Sequence, residues 1–113
     1  MAGKLTTHAL DTEAGRGAGG LRVALFSVGQ AVIPLGEIVL DARGRGLLSE
    51  ALEAGVYELV FHAAAYHRAQ GAALSEPPFL DRIAIRIGVA EADADYHVPL
   101  LLTRYSYSTY RGG

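Results

Sequence analysis

The sequence predicts an all-β fold, a β-sandwich of two sheets with about eight strands and one short helix. Apolar runs of strand length alternate with glycine-rich breaks, and in most of these runs every second residue is apolar. Only one stretch predicts a helix, which argues against alternating strand and helix units. Because 113 residues suffice for one hydrophobic core, we expect a single domain over residues 1–113.

Three strands are predicted in the first half of the chain. Residues 5–10 and 32–40 are apolar runs of strand length. Residues 21–28 carry apolar side chains at odd and even positions alike, which predicts a strand buried on both faces.

Further strands are predicted at residues 56–61, 81–89 and 96–102, and in the tail after residue 105. Residues 81–89 show the cleanest alternation and predict one buried and one exposed face. Pro99 has no backbone N–H, so it predicts an edge position or a bulge for its strand.

Helical character is confined to two short stretches. Residues 63–70, which are followed by a glycine, predict the single helix. Residues 49–53 are compatible with one helical turn.

Composition excludes several classes of function. The formal charge is −2, so the composition does not indicate the basic surface that nucleic-acid binding needs. The absence of cysteine excludes disulfides, thiol catalysis and thiolate metal sites. The sequence also contains no secretion signal and no apolar run of the roughly 20 residues needed to span a bilayer. We therefore expect a cytoplasmic protein with no membrane partner.

Two short motifs resemble ligand-binding sequences but lack the required context. Residues 15–20 satisfy the pattern G-x-G-x-x-G, yet a β-rich run follows where a dinucleotide site needs a helix, so a flexible loop is expected. Residues 91–95 alternate carboxylates like a calcium loop, but the turn glycine and the final glutamate are missing. Since no metal motif remains, we expect neither a metal nor another cofactor.

Two histidines and two arginines are the candidate functional residues. His8 and His97 each lie in a predicted strand, so both can project toward a common space. Taken singly, each is also compatible with a hydrogen-bonded structural histidine, and Arg45 with a solvated turn residue. Arg111 lies in an aromatic and hydroxyl-rich tail, where it either binds a planar anionic ligand or is solvated.

Four separated segments resemble the transthyretin-related family of 5-hydroxyisourate hydrolases. They occur in the family's order and are spread over almost the whole chain: LTTHALDT at 5–12, GAALSEPPFLDR at 71–82, YHVPLL at 96–101 and YSYSTYRG at 105–112. The resemblance implies a transthyretin-like sandwich of eight strands with one short helix. It also implies a homotetramer whose sites line a channel between dimers.

The resemblance places His8, Arg45 and His97 at catalytic positions, and these three together with Tyr110 and Arg111 at substrate-binding positions. Two departures accompany it. Arg43 stands where the family usually has a small or acidic residue, and Gly113 replaces a terminal serine. Either the hydroxyl of that serine is dispensable for activity, or its absence reduces the turnover of this protein.

The activity that the resemblance implies is hydrolysis of 5-hydroxyisourate to 2-oxo-4-hydroxy-4-carboxy-5-ureidoimidazoline in urate breakdown. This reaction needs an activated water, a site for negative charge and a proton for the departing nitrogen, which histidine and arginine side chains supply. Which histidine acts as base stays open. The alternative is a non-catalytic transthyretin-like carrier of a small aromatic ligand, which would not need paired imidazoles.

Overall fold

The chain forms two β-sheets packed face to face with one short helix. The computed structural model describes residues 2–113. The elements follow one another as β1 (Leu5–Asp11), β2 (Arg16–Gly17), β3 (Arg22–Val28), β4 (Val32–Val39), β5 (Arg45–Ser49), β6 (Gly55–Phe61), α1 (Ala63–Ala69), β7 (Ile83–Val89), β8 (Tyr96–Leu102) and β9 (Tyr107–Thr109).

The larger sheet is built around β1. Its strand order is β2-β1-β8-β9, and β5 also pairs with β1. Because β8 runs parallel to β1 along its whole length, β2 and β5 share the opposite edge of β1, both antiparallel to it. The smaller sheet has the order β4-β3-β6-β7 and is antiparallel throughout.

The core lies between the sheets, and strand alternation decides which side chains enter it. In β1 the odd-numbered residues are buried and the even-numbered ones are half-buried. Side chains of opposite parity point to opposite faces of a sheet. Thr6, His8 and Leu10 therefore lie on the outer face of the larger sheet, away from the core that Leu5 and Ala9 help to form.

The predicted sandwich is confirmed. Within residues 2–113, eight strands have three or more residues, and one seven-residue helix occupies the predicted position. The alternation predicted for residues 81–89 is also observed, because Ile83, Ile85 and Val89 are buried while Ala84 and Arg86 are exposed.

Three local predictions were wrong. Pro99 does not mark an edge, because β8 lies between β1 and β9. The regular pairing with β9 covers only residues 100–102. The carbonyl of Pro99 accepts a hydrogen bond from the side-chain hydroxyl of Thr109 at 2.7 Å. Residues 49–53 form no helical turn. The supposed flexible loop at 15–20 contains β2, which pairs with the end of β1.

A buried hydrogen bond connects helix α1 to the larger sheet. The hydroxyl of Tyr66 donates to Oδ2 of Asp11 at 2.8 Å. Burial would raise the pKa of Asp11, but hydrogen bonds from the Ala14 amide and from Tyr66 lower it overall. Burial together with this hydrogen bond raises the pKa of Tyr66 to about 12. No helix within residues 2–113 is long and apolar enough to cross a membrane.

Candidate active site

Strand pairing brings His8, Arg45 and His97 to one face of the larger sheet. His8 of β1 is paired with Arg45 of β5, and Thr6 of β1 is paired with His97 of β8. Paired residues on adjacent strands direct their side chains to the same face. Because Thr6 and His8 are two residues apart in one strand, all four side chains lie on the outer face.

A cavity of about 560 Å³ opens on this face. Arg45 and His97 contribute charged and polar groups to it, and Leu47 contributes an apolar wall. Its lining residues are Thr6, Thr7, Asp41, Arg45, Gly46, Leu47, His97 and Gly113. The cavity therefore combines a guanidinium and an imidazole in a space large enough for a small planar ligand.

A tight turn before β5 sets the position of Arg45. Oδ1 of Asp41 accepts hydrogen bonds from the backbone amides of Arg43 at 2.9 Å and Arg45 at 3.0 Å. These bonds lower the pKa of the Asp41 carboxyl. Gly44 has a φ of 79°, and a Cβ there would collide with the carbonyl of Ala9, so the turn requires glycine. Arg45 was expected in this turn, but it is the first residue of β5.

The same turn holds the side chain of His8. Nε2 of His8 lies 2.9 Å from the carbonyl oxygen of Arg43. Since a carbonyl oxygen only accepts, this nitrogen must carry the proton. In the neutral form of His8, Nδ1 is then the unprotonated ring nitrogen.

His97 has a different environment. Its Nδ1 lies 2.8 Å from Oγ1 of Thr6, while its Nε2 makes no hydrogen bond to any residue of the described chain. Burial lowers the pKa of His97, and the nearby charges of His8 and Arg45 lower it further. This imidazole is therefore neutral near pH 7 and has one nitrogen free for a ligand.

The tail packs directly against His97. Gly112 forms an isolated bridge with His97, and its amide donates to the carbonyl of His97 at 2.8 Å. A Cβ on Gly112 would lie 2.5 Å from Cδ2 of the imidazole. Glycine at this position thus allows the tail to cover one side of the ring.

Tyr110 and Arg111 do not join the other three candidate residues within one chain. The guanidinium of Arg111 lies 4.1 Å from the ring centroid of Tyr96, and its Nη2 donates to the carbonyl of Asp95 at 3.3 Å. Tyr110 is 60% exposed. Both residues line a second cavity of about 380 Å³, which Tyr96 and residues of β7 also line.

Sequence reasoning missed two residues of the site. Thr6 contacts His97, and its position two residues before His8 was the available signal. Asp41 organises the turn, and its place three residues before Gly44 fits an Asp-initiated turn. Within residues 2–113 no group of three or more histidine, aspartate or glutamate side chains is arranged to hold a metal ion.

The sequence profile of the HIUase/Transthyretin family matches residues 5–112 of this chain. The chain belongs to this family. Among its curated relatives, the protein named 5-hydroxyisourate hydrolase 2 from Rhizobium meliloti (strain 1021) is 48% identical over 115 residues. That match covers 97% of this chain and 96% of the relative.

Solved structures support the family assignment. The 5-hydroxyisourate hydrolase of Klebsiella pneumoniae superposes with a TM-score of 0.83 and 32% identity, covering 98% of this chain and 99% of that one. A crystal structure of (S)-allantoin synthase gives a TM-score of 0.90 and 37% identity over 99% of this chain. This chain spans 44% of that longer protein. The family fold therefore extends over nearly all of the chain.

Proposed function

We propose that this member of the HIUase/Transthyretin family hydrolyses 5-hydroxyisourate to 2-oxo-4-hydroxy-4-carboxy-5-ureidoimidazoline. The observation that carries the proposal is the convergence of His8, Arg45 and His97 on one sheet face beside a cavity. The 48% identity to a relative named for this activity supports it independently.

In the proposed mechanism His97 is the general base. Its pKa is lowered, it lines the cavity, and its Nε2 makes no hydrogen bond within residues 2–113. A neutral imidazole beside the cavity can remove a proton from water as the oxygen attacks a ring carbonyl of the substrate. Nδ1 of neutral His8 is also unprotonated, but His8 does not line the cavity, so it is less suited to this step.

Arg45 and His8 serve the rest of the reaction. Arg45 stabilises the negative charge that develops on the attacked carbonyl oxygen, since guanidinium is always protonated. The C–N bond then breaks, the carbonyl carbon becomes a carboxylate, and the departing nitrogen takes a proton. His8, paired with Arg45 across β1 and β5, orients the water or passes on that proton. No metal or other cofactor takes part in this scheme.

The proposed assembly is a homotetramer. Tyr110 and Arg111 lie apart from the Arg45 cavity within one chain. If all five predicted residues serve one substrate, a second copy has to bring its tail to the site. The exposure of Tyr107 and Tyr110 leaves these aromatic side chains accessible to such a contact. Urate breakdown remains the predicted pathway of this activity, and the cytoplasm its predicted location.

Ultraviolet absorbance distinguishes the hydrolase from a carrier. 5-Hydroxyisourate is made fresh from urate by uricase, the uricase is removed, and the protein is added. The proposal expects the substrate band to decay faster than in buffer alone. Retention of the ligand on the protein with decay at the buffer rate would instead identify a transthyretin-like carrier. Decay at the buffer rate without retention would contradict both functions.

A further inference from the structure

We propose that Thr6 is a positioning residue that fixes neutral His97 in the Nδ1–H tautomer, so that Nε2 presents its lone pair to the cavity. The proposal deepens the proposed function, because it explains why His97 accepts a proton. The tautomer itself is a property of the free protein and can be measured without substrate.

The Thr6 contact is built into the sheet. Thr6 and His97 are register partners on parallel strands, and Oγ1 of Thr6 lies 2.8 Å from Nδ1 of His97. This hydroxyl forms no other hydrogen bond with residues 2–113. Gly112 lies close to the ring on its Cδ2 side, because a Cβ added there would be 2.5 Å from Cδ2. The imidazole is therefore held with Nδ1 toward Thr6 and Nε2 away from it.

Distance alone does not decide which atom donates, because a hydroxyl can donate or accept. The surrounding charges do. The positive groups facing His97 are the imidazole of His8 from β1, when protonated, and the guanidinium of Arg45 from β5. Asp41 and Gly113 also line the cavity. Two backbone amides engage Oδ1 of Asp41, and neither residue is among the charges that shift the pKa of His97. Arg111 stacks on Tyr96, whose side chain points to the opposite face of β8.

A lone pair facing positive charge is favoured over an N–H facing it. Nε2 therefore stays unprotonated on the cavity side, and the proton resides on Nδ1, which donates to Thr6. In histidines generally, the hydrogen bond made by one ring nitrogen sets the protonation of the other. Thr6 thus supplies the acceptor that keeps His97 in the form a general base requires.

Long-range proton–nitrogen NMR on the full-length protein tests this directly. At a pH where His97 is neutral, we expect a protonated-type shift for its Nδ1 and an unprotonated-type shift for its Nε2. His97→Gln identifies the signals by removing them from those of the other three histidines. The opposite pattern in the wild-type protein would overturn the proposal, whether or not the protein hydrolyses 5-hydroxyisourate.

A matched pair of variants separates the hydroxyl from the shape of the side chain. Thr6→Val is isosteric but cannot accept a hydrogen bond, whereas Thr6→Ser keeps the hydroxyl. In Thr6→Val the signals of His97 should shift toward the Nε2–H tautomer, and Thr6→Ser should restore the wild-type pattern. An unchanged tautomer in Thr6→Val would contradict the proposal.

The kinetic effect should follow the tautomer. We expect kcat of Thr6→Val to fall on the order of 10- to 100-fold, the scale seen when the partner that orients an imidazole ligand is removed. KM should change little, because Thr6 acts through His97, and Thr6→Ser should recover most of the rate. A shifted tautomer with unchanged kcat would show that His97 is not the base, while the role of Thr6 in setting the tautomer would stand.

Discussion

His8 and His97 have the same side chain but different chemical settings, and backbone geometry causes the difference. A carbonyl of the Arg43 turn occupies Nε2 of His8, which must be protonated there. Nδ1 of His97 is hydrogen-bonded to the hydroxyl of Thr6, and its Nε2 makes no hydrogen bond within the described residues. Burial and the nearby charges lower the pKa of His97. At the scale of single residues, these contacts support the unequal roles proposed for the two histidines.

The lowered pKa of His97 predicts the acid limb of the activity profile. A base has to be neutral, so kcat/KM should be constant at neutral pH and fall about tenfold per pH unit below the pKa of His97. Because that pKa is lowered from 6.5, the midpoint should lie below pH 6.5. Initial rates across pH 4.5–8, corrected for spontaneous decay, measure it. A midpoint at or above pH 6.5 would argue against His97 as the base.

Asp41 should affect catalysis by holding the turn. In Asp41→Ala the amides of Arg43 and Arg45 lose their acceptor, and both Arg45 and the carbonyl that holds His8 become less ordered. Misplaced catalytic groups cost on the order of 100-fold in rate, so a 10- to 100-fold loss is expected. Asp41→Asn is the matched control, since its amide oxygen can still accept both hydrogen bonds. Equal losses in the two variants would mean that the charge, not the turn, matters.

At the scale of elements, the site depends on three neighbouring strands of one sheet. The sequence correctly predicted strands at the positions of β1 and β8, but it did not predict β5. Arg45 is followed by a glycine, and glycine is typical of turns rather than strands. A Cβ on Gly46 would collide with the side chains of Ile38 and Leu40, so close packing favours glycine at this strand position. Such tertiary contact is not visible in local sequence.

Helix α1 should depend on the bond between Tyr66 and Asp11. Tyr66→Phe removes the hydroxyl and leaves Oδ2 of a buried carboxylate without its partner. A hydrogen bond to a charged group contributes about 1.5–3 kcal/mol, so the free energy of unfolding should fall by that amount. Urea denaturation measures it. Tyr105→Phe is the control, because Tyr105 is exposed and the change should stay within about 0.5 kcal/mol.

The pH dependence of that difference provides a second check. Because the folded pKa of Asp11 is lowered, its stabilising contribution is fully present well above the unfolded pKa of about 3.9. The contribution is lost as pH falls through 3.9 toward the folded pKa. The gap between wild type and Tyr66→Phe should therefore narrow below about pH 4. A gap independent of pH would mean that the hydroxyl acts without the carboxylate.

At the scale of the whole molecule, much could be predicted from sequence. Periodicity and a single helical stretch were enough to predict the sandwich, because strands such as β1 and β7 alternate with one face toward the core. The pairing of β1 with β8, which are about 90 residues apart, could not be derived from local patterns. The convergence of His8 and His97 came from that pairing. It was expected only through family resemblance.

The separation of the tail from the Arg45 cavity predicts self-association. Analytical ultracentrifugation at micromolar concentration should give a species of four chains, so that tails of neighbouring copies can reach the sites. Tyr110→Ala and Arg111→Ala should reduce kcat/KM, since both residues are predicted to bind substrate. A monomer with wild-type turnover would contradict the shared site. It would leave the assignment of His8, Arg45 and His97 standing.

The most direct test of the central claim compares the turnover of His8→Ala and His97→Ala with that of the wild type. Decay of freshly made 5-hydroxyisourate is followed by ultraviolet absorbance, and circular dichroism verifies that each variant is folded. We expect each substitution to reduce the enzymatic rate on the order of 10²- to 10⁴-fold, the usual effect of losing a general acid or base. Wild-type rates in both folded variants would show that the outer-face cluster is not the active site.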